Sequence, residues 1–69
     1  MIVSLNGDRR ELPAGASVAD AVALVSPAVA NGRGYAVAVG GEVVPRGKWA
    51  TTQLTDGAKV EVLAAIQGG

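Results

Sequence analysis

Apolar and polar positions alternate, cluster and break along this chain in a pattern that predicts six elements. Ile2-Val3-Ser4-Leu5 is β-branched and mostly apolar, as a first strand should be. Asn6-Gly7 follows, and both residues tolerate the positive φ that a type I′ hairpin turn requires. Arg9-Arg10-Glu11-Leu12 is the returning strand, polar enough for a sheet edge. Pro13 then ends the pairing, because it has no N–H to donate. Ser17 opens a helix: its hydroxyl can cap the free N–H groups of the first turn, and Asp20 sits three residues on in an aspartate version of the capping box. Val18, Ala21, Val22 and Val25 fall at the i, i+3, i+4, i+7 spacing of one buried face.

Ser26-Pro27 breaks that helical pattern, with room for one further turn over Pro27 to Ala30 before Asn31-Gly32. Tyr35 to Val39 is the cleanest strand of the chain, and its near-continuous apolarity predicts a central position in a sheet. Gly40-Gly41 is a tight turn from which Glu42-Val43-Val44 returns, and Pro45 closes the strand. Arg46 to Ala50 reads as a loop with one helical turn. After the Asp56-Gly57 turn, Lys59-Val60-Glu61-Val62-Leu63 alternates as a half-buried strand does. The order is β-β-α-β-β-β, an α+β pattern with one helix packed on a mixed sheet.

Composition narrows the chemistry. At 69 residues there is room for one small domain, which buries about 60% of its unfolded surface. The chain has no cysteine and no histidine, so disulfides, a thiolate nucleophile and the commonest metal ligand and acid/base group are all missing. The core must be aliphatic, with Trp49 and Tyr35 as the only aromatic residues. Six basic residues balance six acidic ones, which argues against a nucleic-acid partner, since phosphate binding calls for a basic surplus. No apolar run approaches the roughly 20 residues of a membrane span, and Met1 to Leu5 lacks the charged start of a signal peptide. A cytoplasmic protein without membrane attachment, monomeric when free, is the expectation.

The sequence ends in Gly68-Gly69, directly behind the last strand. Glycine lacks the Cβ that would clash in a narrow channel, so such an end can thread into another protein's active site. The ordinary alternative is a frayed terminus. A strand–turn–strand–helix start and a final strand leading into such an end describe a β-grasp (ubiquitin-like) fold of about five strands on one main helix. The last strand then lies mid-sheet beside the first. Residues 1–64 are the expected domain, and 65–69 a flexible tail reaching about 17 Å.

Val43-Val44-Pro45-Arg46-Gly47-Lys48-Trp49-Ala50, followed by Leu54-Thr55-Asp56-Gly57, Val60-Glu61-Val62 and Gly68-Gly69, resembles the ThiS family. These are ubiquitin-like sulfur carriers of thiamin (thiazole) biosynthesis. The resemblance spans essentially the whole chain, with Gly40 where the family often has Asn and Ala58 where it often has Asp. It implies that the chain is a carrier and co-substrate, not an enzyme. The Gly69 carboxylate would be adenylated by a ThiF-like adenylyltransferase using ATP, then converted to a thiocarboxylate with sulfur from a donor protein. A ThiG-like thiazole synthase would accept that sulfur. No cofactor is expected on the chain itself.

Under that resemblance Gly69 carries the chemistry, Gly68 gives access, and Gln67 and Ile66 contact partners, Ile66 as an apolar anchor. Arg46 is either a contact for an acidic partner group near the tail or a solvated loop arginine. Trp49 is expected as a lid over the lean aliphatic core. Gly41 to Lys48 is no phosphate-binding loop, because five residues separate Gly41 from Gly47 and Trp49 follows Lys48. Two other readings stand beside the first. A MoaD-like carrier for molybdopterin synthesis shares the tail and the mechanism, and a TGS-type β-grasp binding module shares the sequence texture.

Overall fold

Asn6 and Gly7 both adopt positive φ, 51° and 84°, and the chain reverses between β1 (Ile2–Leu5) and β2 (Asp8–Glu11) in two residues. The computed structural model describes residues 1–25 and 34–64. After the first hairpin come α1 (Val18–Val25), β3 (Tyr35–Val39), β4 (Glu42–Val44), a 3₁₀ turn at Arg46–Lys48 and β5 (Lys59–Ala64). The strands form one mixed sheet in the order β2-β1-β5-β3-β4. Only β1 and β5 run parallel; the other neighbours are antiparallel.

The charged strand β2 (Asp-Arg-Arg-Glu) takes the edge, where all four residues are exposed. Charged side chains suit that place because they discourage pairing with another chain. The strand ends one residue earlier than its sequence pattern predicts. Leu12 turns inward as a buried core residue, with its N–H bonded to Met1 O at 2.9 Å. At the other edge, Gly40 and Gly41 take φ of 60° and 86°, the conformation a two-residue reversal between β3 and β4 requires.

The start of α1 is fully accounted for. Ser17 N–H donates to Asp20 Oδ2 at 2.8 Å, and Asp20 N–H donates back to Ser17 Oγ at 3.3 Å. The next two free amides find acceptors on the loop after the 3₁₀ turn: Val18 N to Thr52 O at 2.9 Å and Ala19 N to Trp49 O at 3.0 Å. That loop therefore belongs to the helix cap as much as to the connection. Replacing Asp20 by alanine removes the acceptor of the Ser17 amide and is expected to cost about 1 kcal/mol. A thermal melt checks this: the midpoint should fall by roughly 4–8 °C, with Asp20→Asn recovering most of the loss.

The helix packs on one face of the sheet. Val18, Ala21 and Val22 meet Val3, Leu5, Val37, Val60 and Val62, and Leu12, Ala16, Trp49 and Leu54 close the rim of this core. Val25 departs from the expected buried stripe at 39% exposed. It lies about 10 Å along the axis from Val18, beyond the patch of sheet that buries Val18 and Val22. The expected extra turn over Pro27 to Ala30 and the stop at Asn31-Gly32 lie outside the described residues.

Candidate functional site: the root of the C-terminal segment

β5 occupies the centre of the sheet, between β1 and β3. Its register against β3 runs from Tyr35↔Ala64 to Val39↔Val60, and against β1 it pairs Ser4↔Lys59 and Leu5↔Val60. Val60 and Val62 point into the core beneath the helix. A strand paired on both sides and buried on one face is the stiffest place in a small domain from which to launch a chain end. Residues 65–69 follow it directly in sequence.

Past Val60 the parallel pairing with β1 stops, because the chain turns away at Asn6-Gly7. The backbone of Val62 is nevertheless satisfied on that side. The Asn6 amide stands in for a peptide group: Val62 N–H donates to Asn6 Oδ1 at 2.7 Å, and Asn6 Nδ2 donates to Val62 O at 3.1 Å. Asn6 N–H also donates to Val60 O at 2.9 Å. The sequence pattern marks Asn6 only as a turn former. The contact spans 56 residues, and no local pattern could have marked it.

The sheet face opposite the helix is uncovered among the described residues. Ala36 and Leu63 are paired there, as are Ala38 and Val43. Leu63 is 60% exposed and Val43 73%. An exposed apolar strip of this kind marks an interaction surface more often than chance. One sequence signal was available for it: Lys59 and Glu61 face outward, and Leu63 breaks that alternation with an apolar residue. Near-continuous apolarity in β3 thus reflects an interior strand with only one covered face, since Ala36 is exposed while Val37 is buried.

Arg46 is exposed at the start of the 3₁₀ turn. The topology puts it at the same end of the sheet as the last residues of β5, because β4 runs in the same sense as β5 two strands away. Ile66, Gln67, Gly68 and Gly69 lie outside the described residues. Trp49 is 4% exposed and donates from Nε1 to Val44 O at 2.8 Å, a core lid as expected. Among the described residues no cluster of three acidic, histidine or cysteine side chains could hold a metal ion. No described helix is long and apolar enough to cross a membrane.

The model of the ThiS family matches residues 3–69, through the terminal glycine pair. The chain belongs to the ThiS family. Its fold agrees with that of a solved ThiS structure, the crystal structure of thiamine biosynthesis protein ThiS from Geobacter metallireducens. The two share 27% sequence identity with a TM-score of 0.79, and the match covers 100% of each chain. Among curated proteins, none matches. The β-grasp architecture expected from the sequence is therefore the architecture of this ThiS family member: a mixed five-stranded sheet, one packed helix, and the final strand in the middle.

Proposed function

We propose that this chain is a sulfur carrier of thiamin biosynthesis whose reacting group is the Gly69 carboxylate. The observation that carries the reading is the family match running through Gly69 on a fold whose central strand ends at Ala64, five residues before it in sequence. Likeness to a thiamine biosynthesis protein at full coverage of both chains supports it further. The same match weighs against a molybdopterin carrier and against a TGS-type binding module. On this reading residues 1–64 are the body and 65–69 the segment delivered to partners.

A carboxylate at neutral pH resists nucleophiles, because it is anionic and would have to expel oxide. A ThiF-like adenylyltransferase solves this with ATP. A Gly69 carboxylate oxygen attacks the α-phosphorus, pyrophosphate leaves, and a mixed anhydride with AMP forms. A sulfide nucleophile supplied by a sulfur donor then attacks the carbonyl carbon. AMP leaves with the original oxygen, and Gly69 ends in a thiocarboxylate. A ThiG-like thiazole synthase takes up that sulfur. The nucleotide belongs to the activating enzyme, and the carrier is its co-substrate.

The body contributes position and recognition. β5 is paired with β3 through Ala64, and with β1 as far as Val60, beyond which the Asn6 amide holds Val62; this restricts the directions in which residues 65–69 can leave. The apolar strip of Ala36, Val43 and Leu63 lies on the sheet face beside that exit, where a partner can bury it. Gly68, without a Cβ, gives Gly69 access through a narrow channel in a partner. Gln67 and Ile66 are the proposed contacts along it, and Arg46 is a further one at the same end of the sheet.

Intact-mass measurement after incubation with ATP, a ThiF-type enzyme and a sulfide source tests the reading. The expected result is a gain equal to one oxygen exchanged for one sulfur, located by fragmentation to Gly69. An unchanged mass, with the same enzyme active on an established carrier, would refute it.

A further inference from the structure

Among the described residues Asn6 is the only non-glycine residue at positive φ. Glycine would fill that turn position with less steric cost. What glycine cannot supply is the carboxamide that accepts from Val62 N–H and donates to Val62 O. The side chain reproduces the next rung of the parallel β1–β5 ladder after the backbone of β1 has turned away. It grips β5 seven residues before Gly69, on the one flank where no strand continues.

We propose that Asn6 is a positioning residue for the carrier reaction: its amide fixes the root of the C-terminal segment, and so the direction from which Gly69 approaches the activating enzyme. The inference rests on the carrier reading above. Without the amide, Val62 N–H and C=O lose their partners and the end of β5 is held only from the β3 side. More orientations of the segment must then be given up on threading, which weakens productive docking and leaves the chemical step alone.

Three forms of the full chain separate this role from simple stability: wild type, Asn6→Gly and Asn6→Asp. Asn6→Gly keeps the positive-φ turn and removes the amide. Asn6→Asp keeps an acceptor for Val62 N–H and loses the donor to Val62 O. For each, thermal melting, hydrogen exchange at the Val62 amide, and the kinetics of adenylation against carrier concentration are measured. In Asn6→Gly, Val62 exchange should accelerate while the protein stays folded. KM for the carrier should rise about fivefold, the scale of one net hydrogen bond, with kcat within about twofold. Asn6→Asp should fall between that variant and wild type.

Faster Val62 exchange with an unmoved KM in both variants would overturn the proposal and reduce the amide to a local structural contact. A loss of kcat and KM effects that tracks the unfolded fraction would overturn it equally. Failure of the wild-type chain to be adenylated would sink the carrier reading itself, so the two failures are told apart by the wild-type control.

Discussion

Deleting Gly69 is expected to abolish thiocarboxylate formation while leaving thermal unfolding unchanged. The deletion draws the terminal carboxylate back by one residue, about 3.5 Å along an extended chain. A misplacement of about 1 Å at a reacting centre already costs on the order of a hundredfold in rate, so a full residue puts the reaction below detection. Among the described residues the core runs from Val3 to Val62, and β5 is held by β1, β3 and the Asn6 amide. Gly69→Ala is the finer test. It keeps the carboxylate in register and adds only a Cβ beside it. In a channel shaped for glycine, that crowding should cost about 1–3 kcal/mol, a fall of roughly fivefold to a hundredfold in adenylation. Circular dichroism confirms that both variants are folded, and intact mass reads the loading. Normal loading of the shortened chain would show that the reaction occurs elsewhere.

Trp49→Ala should be the most damaging substitution in the folded body. The indole is 4% exposed, covers the aliphatic core and donates to Val44 O. Its own carbonyl accepts the Ala19 amide in the first turn of the helix. Losing a buried tryptophan costs about 3–5 kcal/mol. A chain of 69 residues has a total stability of roughly 3–10 kcal/mol. The variant should therefore be largely unfolded or close to it at room temperature. Trp49→Phe retains most of the apolar body and loses the N–H donor, so it should cost about 1 kcal/mol and remain folded. Because Trp49 is the only tryptophan, far-ultraviolet dichroism in a urea titration is the suitable measurement. A midpoint in Trp49→Ala equal to wild type would show that the indole covers nothing of consequence.

Much of the architecture was legible from local signals. The Asn6-Gly7 and Gly40-Gly41 reversals, the reciprocal Ser17–Asp20 cap and the alternation of β5 each rest on interactions within a few residues, so periodicity and turn chemistry report them directly. The bounds of β2 and the exposure of Val25 are not legible in this way. Edge pairing ends where the neighbouring strand runs out, and burial depends on how much sheet lies beneath the helix. Both are properties of partners remote in sequence.

The candidate site divides along the same line. From the sequence by itself came the fold class, the glycine pair at the end, the charged edge strand, Trp49 as core lid and the family resemblance. Each depends on residue type and short-range spacing. Only the tertiary structure decided that Asn6 holds Val62, that Leu63, Ala36 and Val43 form one apolar strip uncovered among the described residues, and that the loop after the 3₁₀ turn completes the helix cap. Those arrangements follow from the parallel register of β1 on β5 and from the crossing of the helix over one face of the sheet. Strand register is set by the packing of the whole core, and a single-residue slip would send every side chain of a strand to the opposite face.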